Sequence, residues 1–343
     1  MDIETRKTGL PTLEDVARVA GVSTATVSRC LNSPELVTKQ TRERILETVK
    51  ELRYSPNFGA RALAAKRTNI YGAVIPTMEN AIFARGLQSF QEELVLNGAN
   101  LLVASTSYDL QAEEEQIRSI IARGADGLLL IGCDHDPEVY PFLQARNIPF
   151  VLAWAISPDP EISSVGFDNI EASRQLAKRA IELGHRKFAY ISAFTTNNDR
   201  ARGRVAGVRQ ALEENGIDPA SMPIVETKYS FKCGREAFRK IMQESIKPSI
   251  VMCGNDVLAV GAVQAADEMG LQVPLDMSVT GFDDIELATI IRPSITTVHV
   301  PHRRMGALAA DILLNQVRNK DDVKQVSLET QIITRESLMP PHV

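Results

Sequence analysis

The chain has 343 residues, of which 44% are hydrophobic and 24% charged, ordinary values for a soluble globular protein with more than one structural unit. No run of about 20 apolar residues is present, which excludes a membrane-spanning helix. The N-terminal segment has no apolar stretch after its charged residues, so we expect no signal peptide and a cytoplasmic protein. The four cysteines lack C-x-x-C spacing, and we expect reduced thiols, no metal site and no cofactor.

The net charge of −5 is unevenly distributed along the chain. Residues 1–67 contain 12 basic and 8 acidic residues, whereas residues 68–343 contain 26 basic and 35 acidic residues. A small basic segment followed by an acidic body is typical of a DNA-binding module joined to a sensor domain.

Residues 13–52 show the pattern of three short helices. Thr12 can cap the first helix, with Asp15 three residues later as its capping-box partner. Ser23 can cap the second helix, and Thr38 opens the third. A helix, a glycine-containing turn and another helix predict a helix-turn-helix unit whose second helix enters the major groove of DNA.

The second helix carries residue types that suit base recognition. Thr24 and Ala25 are small enough for close approach, and Arg29 can donate two hydrogen bonds to a guanine. Hydroxyl and amide groups nearby can position the phosphate backbone. The predicted DNA contacts in this segment are Thr12, Ser23, Thr24, Ala25, Thr26, Ser28, Arg29, Asn32, Thr38, Thr41 and Tyr54. The alternative is a structural three-helix unit in which the serines and threonines only cap helices.

From residue 69 onward, short β-type runs alternate with helical stretches. The predicted strands are 70–75, 100–104, 127–131, 150–153, 187–192, 224–226, 250–253 and 279–282. The predicted helices are 85–97, 111–123, 136–146, 171–183, 202–214, 234–244, 257–269 and 303–318. This alternation predicts parallel sheets with crossover helices, and two doubly wound subdomains fit the length better than one sheet.

These motifs together resemble the lactose repressor/purine repressor family of bacterial transcription regulators. Residues 12–32 match its helix-turn-helix signature, and residues 54–64 resemble its hinge helix. The blocks in the body that resemble the family are 184–191, 202–207, 254–261, 279–284 and 293–298.

The resemblance implies a fold and a domain organisation. We expect a small all-α helix-turn-helix head at 1–56, a hinge helix or linker at 57–67, and an α/β body at 68–339 like a periplasmic sugar-binding protein. The body would contain two doubly wound parallel-sheet subdomains, with approximate bounds 68–167 plus 299–327 and 168–298 plus 328–339.

The resemblance also implies how two copies engage double-stranded DNA. Two hinge helices would meet at the centre of a palindromic operator and enter the minor groove, with Leu63 as a wedge between base steps. Asn57 and Ala60 complete the predicted hinge contacts; alternatively, Leu63 only packs against the body. No heptad repeat follows the last strand-like segment, so we expect a homodimer and not a coiled-coil tetramer.

A small effector is expected between the subdomains, beyond the carboxyl ends of the strands. Carboxylate, amide and guanidinium groups can hold the hydroxyls of a carbohydrate, and aromatic faces can cover its ring. The predicted effector contacts are Asn80, Phe83, Trp154, Arg204, Tyr229, Asn255 and Asp283. As alternatives, Asn255 only caps a helix and Trp154 is a core residue.

Four basic residues would add positive charge around the effector site, which would suit a carboxylated sugar. They are His135, Arg200, Arg202 and His302, and we expect most of them at the solvated surface. Motifs for phosphate binding, nucleophilic catalysis or a catalytic metal are absent from the sequence. Asp283 and Asp284 are adjacent at a strand end, so we expect them to point to different sides and not to form a catalytic pair.

The sequence therefore predicts a repressor whose binding to its operator is modulated by a sugar or sugar acid. One alternative is a corepressor-dependent regulator that senses a purine or another non-sugar metabolite. A sugar-binding transport component is an alternative of a different class, which the basic head and the helix-turn-helix argue against. An enzyme is the least favoured reading.

Overall fold

The computed structural model describes residues 10–55, 67–79, 81–319 and 322–342. The predicted contacts Asn57, Ala60, Leu63 and Asn80, and all but the last residue of the predicted hinge, lie outside these residues. Contacts divide the chain into two compact units, Met1–Thr68 and Asn69–Val343, which we call the head and the body.

The head contains the three predicted helices. They are α1 (Leu13–Val19), α2 (Thr24–Asn32) and α3 (Lys39–Glu51), with a 3₁₀ turn at Pro34–Leu36. The turn between α1 and α2 contains Gly21 at φ +60°, a left-handed conformation that glycine adopts without a Cβ clash. Each helix buries its apolar stripe in one small core, formed by Val16, Ala17, Ala20, Val27, Cys30, Ile45 and Tyr54. The head is therefore fixed mainly by these helix–helix contacts.

The body alternates strands and helices along most of its length. Its strands are β1 (Ile70–Ile75), β2 (Asn100–Ser105), β3 (Gly127–Ile131), β4 (Phe150–Ala153), β5 (Ser164–Gly166), β6 (Phe188–Ala193), β7 (Ile224–Thr227), β8 (Ile250–Cys253), β9 (Ser278–Thr280), β10 (Thr297–His299), β11 (Gln325–Ser327) and β12 (Gln331–Ile333). Its helices are α4 (Ala81–Leu96), α5 (Leu110–Ala122), α6 (Val139–Ala145), α7 (Asn169–Glu182), α8 (Asp199–Glu214), α9 (Phe231–Ile241), α10 (Asp256–Glu268), α11 (Leu287–Ile290) and α12 (His302–Arg318).

Two parallel sheets organise the body. One has the strand order β11-β5-β4-β3-β1-β2, and we call this sheet with α4, α5, α6 and α12 lobe one. The other has the order β7-β6-β8-β9, and we call this sheet with α7 to α11 lobe two. Strands β10 and β12 form a separate antiparallel pair. The prediction of two doubly wound parallel sheets is confirmed.

The central strands are buried, as expected for sheets that helices cover on both faces. All five residues of β3 are buried, which explains its continuous apolar sequence. Helices α4 and α12 approach very closely, because a Cβ on Gly306 would lie 2.0 Å from the carbonyl oxygen of Gly86. Among the residues that the structure describes, no helix has the length and apolar character needed to cross a membrane.

Four short strands were not predicted from the sequence. They are β5, β10, β11 and β12, each three residues long. A three-residue segment is too short to show a period of its own. Strand β11 exists because Gln325 to Ser327 pair with Ser164 to Gly166, more than 150 residues earlier in the chain. Helix α11 was also missed, and it has only four residues.

Candidate DNA-binding surface and effector cleft

Helix α1 begins with a reciprocal cap. The amide of Asp15 donates to Thr12 Oγ1 at 3.3 Å, and the amide of Thr12 donates to Asp15 Oδ2 at 3.0 Å. The hydrogen bond from Thr12, helped by Arg18, lowers the pKa of Asp15 from 3.8 to about 2. The predicted capping box is confirmed. Thr12 therefore has a structural role, and its contact with DNA stays a prediction.

Helix α2 presents an exposed face of small side chains and one arginine. Thr24, Ala25 and Arg29 are exposed and Ser28 is half-buried. In the part of the chain that the structure describes, the Arg29 guanidinium has no hydrogen-bond or ion-pair partner. It is therefore available to an acceptor outside the chain, such as a base edge or a phosphate oxygen.

The predicted phosphate-contacting groups are mostly paired with one another. The amide of Thr26 donates to Ser23 Oγ at 3.1 Å, so Ser23 caps α2 as predicted. The other polar pairs are Asn32 with Ser28 at 3.3 Å and Thr38 with Thr41 at 3.0 Å. Tyr54 is 9% exposed and packs into the core of the head. These side chains thus shape the head, and their DNA contacts stay predictions.

In the body, Arg204 lies at the centre of a buried polar cluster beside the lobe-two strand ends. Its guanidinium donates to Asn169 Oδ1 at 3.0 Å and to the carbonyl oxygen of Gly254 at 2.6 Å. It also donates to Asp283 Oδ1 at 3.3 Å, and its Cζ lies 3.8 Å from the ring centroid of Phe282. The structure therefore brings together two predicted effector residues, Arg204 and Asp283.

The two adjacent aspartates at this strand end point in different directions. Burial raises the pKa of Asp283 from 3.8 to about 6, and Arg204 opposes this only in part. Asp284 contacts Arg335 at 2.5 Å and His299 at 2.8 Å. The two side chains therefore have different partners, as expected for carboxylates that point to different sides of the strand end. Asp283 also has a φ of +100°, which is a strained conformation for a residue with a side chain.

Asn255 caps α10, since the amide of Leu258 donates to its Oδ1 at 2.9 Å and its side chain is buried. The next residue, Asp256, accepts from the Thr297 hydroxyl at 2.6 Å and from the Ile285 amide at 2.8 Å. Asp256 thereby anchors the loop that follows β9. Capping is thus an established role of Asn255, and its effector contact stays a prediction.

Three aromatic rings lie beside the buried polar cluster. The Phe83 and Trp154 rings meet edge to face with centroids 5.4 Å apart, and the Trp154 and His302 rings are stacked at 6.2 Å. The Trp154 indole donates to His302 Nδ1 at 3.1 Å. Burial lowers the pKa of His302 to about 3, so its ring is neutral. Phe83 and Trp154 are at most 1% exposed and pack in the core of the body.

A solvent-accessible cavity of about 260 Å³ lies between the lobes. Lobe one lines it with Thr77, Glu79, Ser107 and Tyr108, and lobe two with Ala193, Phe194, Thr196, Asn198, Thr227, Lys228 and Tyr229. Most of the lining side chains are polar, and they can hydrogen-bond a small polar ligand. Of the predicted effector contacts that the structure describes, only Tyr229 lines this cavity.

Tyr108 lines the cavity within electrostatic range of Arg204 and Asp283, and it was missed from the sequence. It follows β2 with a φ of +65°, and Ser107 before it has a φ of +55°. Burial raises the pKa of Tyr108, and the charges of Arg200 and Arg204 act on it. Tyr108 and Tyr229, one from each lobe, are also electrostatic neighbours. A polar residue just beyond a predicted strand was the only sequence signal for Tyr108.

The expectation that most of the four basic residues are solvated at the surface is wrong. The side chains of His135 and Arg200 are 0% and 8% exposed, and His302 is 3% exposed. Arg202 is the exception among the four, because its side chain is 48% exposed. The sequence gives no sign of this burial because the contacts that hold these side chains come from distant parts of the chain.

Two family models match the chain. Residues 12–57 match the model described as bacterial regulatory proteins, lacI family, and residues 177–338 match the periplasmic binding protein-like domain. The first match covers the helix-turn-helix of the head, and the second covers most of lobe two.

Complete relatives align along nearly the whole chain. The HTH-type transcriptional repressor PurR of Edwardsiella ictaluri is 31% identical over 332 residues, which are 96% of this chain and 97% of the relative. The lac repressor dimer bound to operator and the anti-inducer ONPF is 27% identical, with a TM-score of 0.86 over 96% of this chain and 100% of that one. The complex of the regulator CelR with cellobiose is 28% identical, with a TM-score of 0.70 over 95% and 99%.

Proposed function

The chain belongs to the LacI family of bacterial regulatory proteins and is a DNA-binding transcription repressor, not an enzyme; from this premise we propose that a small sugar or sugar acid controls it. In this proposal the protein is a homodimer on a palindromic operator. It acts in the cytoplasm, where the bacterial chromosome lies. The effector binds between the two lobes of the body and changes the affinity for DNA.

The exposed face of α2 is the proposed base-reading surface. Arg29 has an exposed guanidinium with no partner among the described residues, and a guanine offers two acceptors in the major groove. The small neighbours Thr24 and Ala25 let the helix approach the bases. The predicted hinge contact of Leu63 in the minor groove is part of the same proposal.

Selection of binding sites from a random duplex library tests this role without a defined operator sequence. Arg29→Ala should lose preference at one base pair in each half-site, at a cost of about 1–3 kcal/mol. Lys39→Ala is the matched control, because Lys39 is exposed and opens α3 outside the recognition helix. The control should keep the selected sequence. Equal weakening on all sequences by Arg29→Ala would show that Arg29 contacts only phosphate.

The cavity between the lobes carries the proposal for the effector. Hydroxyl groups line it from both lobes, together with one carboxylate from lobe one and one amide and one ammonium group from lobe two, which suits the many hydroxyls of a sugar. A similar structure is a complex with cellobiose. The alternative is a purine effector, which the PurR relative favours.

Thermal unfolding with D-glucose, D-gluconate and hypoxanthine distinguishes these effectors. A ligand that binds only the folded state at a hundredfold excess over its Kd stabilises the protein by about 2.7 kcal/mol. Stabilisation by a sugar or sugar acid, lost in Tyr229→Ala, supports the proposal. Stabilisation by hypoxanthine alone would favour a purine as the effector.

One geometric argument and one observation support the homodimer. A palindromic operator needs two helix-turn-helix heads related by a twofold axis. Strand β2 is at the edge of its sheet, and apolar side chains are exposed there and at the end of α4: Val103, Val95 and Leu96. Light scattering should therefore give a mass near twice 37.7 kDa. A stable monomer at micromolar concentration would contradict this.

A further inference from the structure

The two lobes are joined by direct contacts beside the cavity. The backbone amide of Cys133, just after β3 in lobe one, donates to Asp199 Oδ2 at the start of α8 in lobe two at 2.9 Å. Arg200 donates from Nη1 to the carbonyl oxygen of Ile131 at 3.1 Å. Both contacts are largely shielded from water, since the side chains of Asp199 and Arg200 are 17% and 8% exposed.

An ion pair extends these contacts to the surface. The guanidinium of Arg202 meets the carboxylate of Asp134 through two hydrogen bonds, at 2.5 and 2.6 Å. The same guanidinium donates to the carbonyl oxygen of Thr195 at 2.9 Å. Thr195 lies between Phe194 and Thr196, which line the cavity. Arg202 therefore links a cavity-lining segment of lobe two to lobe one.

Hydrogen bonds within lobe one hold in place the loop after β3, which makes these contacts. His135 Nδ1 lies 2.8 Å from Glu113 Oε2 on α5, and its Nε2 lies 3.0 Å from the carbonyl oxygen of Gly132. Gly132 has a φ of +82°, and a Cβ there would lie 1.7 Å from Arg200 Nη1. The loop is thus shaped to receive the start of α8. Loss of the contacts between the lobes should therefore let the lobes separate, because the loop itself stays fixed to lobe one.

We propose that Asp134 and Arg202 are positioning residues of a rim clasp, formed by residues 131–134 and 199–202, that holds the cleft closed beside the effector cavity. A ligand that separates the lobes has to break this clasp, and one that requires closure is helped by it. The clasp therefore sets the share of molecules with an open cleft, whichever effector binds. Arg202 acts through the segment that contains Thr195, not by touching the effector itself.

Hydrogen exchange at the Cys133 amide tests the clasp in the full-length protein. Arg202→Gln leaves the Cys133–Asp199 hydrogen bond untouched, so faster exchange at Cys133 reports separation of the lobes. We expect exchange to accelerate about threefold, the effect of losing one partly exposed bidentate ion pair. Exchange at Ile191, within the lobe-two sheet, should stay unchanged, which separates local opening from global unfolding.

Two further variants make the result specific. Arg174→Gln is the matched control, because Arg174 pairs with Glu171 and Glu214 entirely within lobe two. It should leave exchange at Cys133 unchanged. The reversed double variant, Asp134→Arg with Arg202→Asp, should restore part of the slow exchange, because it rebuilds the ion pair but not the hydrogen bond to the Thr195 carbonyl. Unchanged exchange in Arg202→Gln, or no restoration in the double variant, would overturn the proposal.

Discussion

Asp283→Asn should stabilise the body near pH 7, although it removes one partner of a buried ion pair. Removal of one member of such a pair often destabilises a protein by about 3–5 kcal/mol. Here Asp283 is 1% exposed and meets Arg204 through a single contact at 3.3 Å. Its pKa, raised from 3.8 to about 6, indicates that burial outweighs the attraction of Arg204. This difference in pKa means that folding disfavours the ionised carboxylate relative to the protonated one by about 3 kcal/mol.

The sign of the pH dependence follows from the raised pKa. The stabilising contribution of protonated Asp283 is fully present below pH 3.8 and is lost as the pH rises through about 6. Asparagine resembles the protonated carboxyl, keeps an oxygen that accepts from Arg204, and tolerates the φ of +100°. The free energy of unfolding of the wild type should therefore fall relative to Asp283→Asn by about 3 kcal/mol between pH 3.8 and pH 7.

Urea unfolding at several pH values, followed by tryptophan fluorescence, measures this difference. Trp154 is the chain's single tryptophan and lies in the body core, so its signal reports the body and not the head. Asp284→Asn is the control. Burial acts to raise the pKa of Asp284, but Arg335 and His299 lower it overall, so this variant should lose stability above pH 4. Parallel pH curves for wild type and Asp283→Asn, or a large destabilisation by Asp283→Asn at pH 7, would refute the reasoning.

Two other substitutions test the packing and the caps. Gly306→Ala should destabilise the body by about 1–3 kcal/mol, because its Cβ would lie 2.0 Å from the carbonyl oxygen of Gly86 and force α4 and α12 apart. An unchanged urea concentration at the midpoint of unfolding would contradict this close approach. Thr12→Ala should speed hydrogen exchange of the α1 amides by the loss of a cap worth about 1 kcal/mol, whereas Thr12→Ser should keep the slow rate.

Local chemistry was enough to predict much of the head and the architecture of the body. Thr12 and Asp15 are three residues apart, so their reciprocal cap is visible in the sequence and is present in the structure. The apolar run 127–131 predicts a strand, and β3 has these bounds and is fully buried. These features depend on neighbours within one helical turn or one strand, which is the range over which a sequence pattern carries information.

The tertiary structure alone decided which groups meet around the cleft. Arg204 and Asp283 are 79 residues apart in sequence and contact each other, whereas Phe83 and Trp154 are sealed in the core. The placement of Tyr108 at the cavity and of Arg200 between the lobes likewise depends on how two sheets face each other. No sequence period encodes such contacts, because the burial of a side chain is determined by the segments that pack over it.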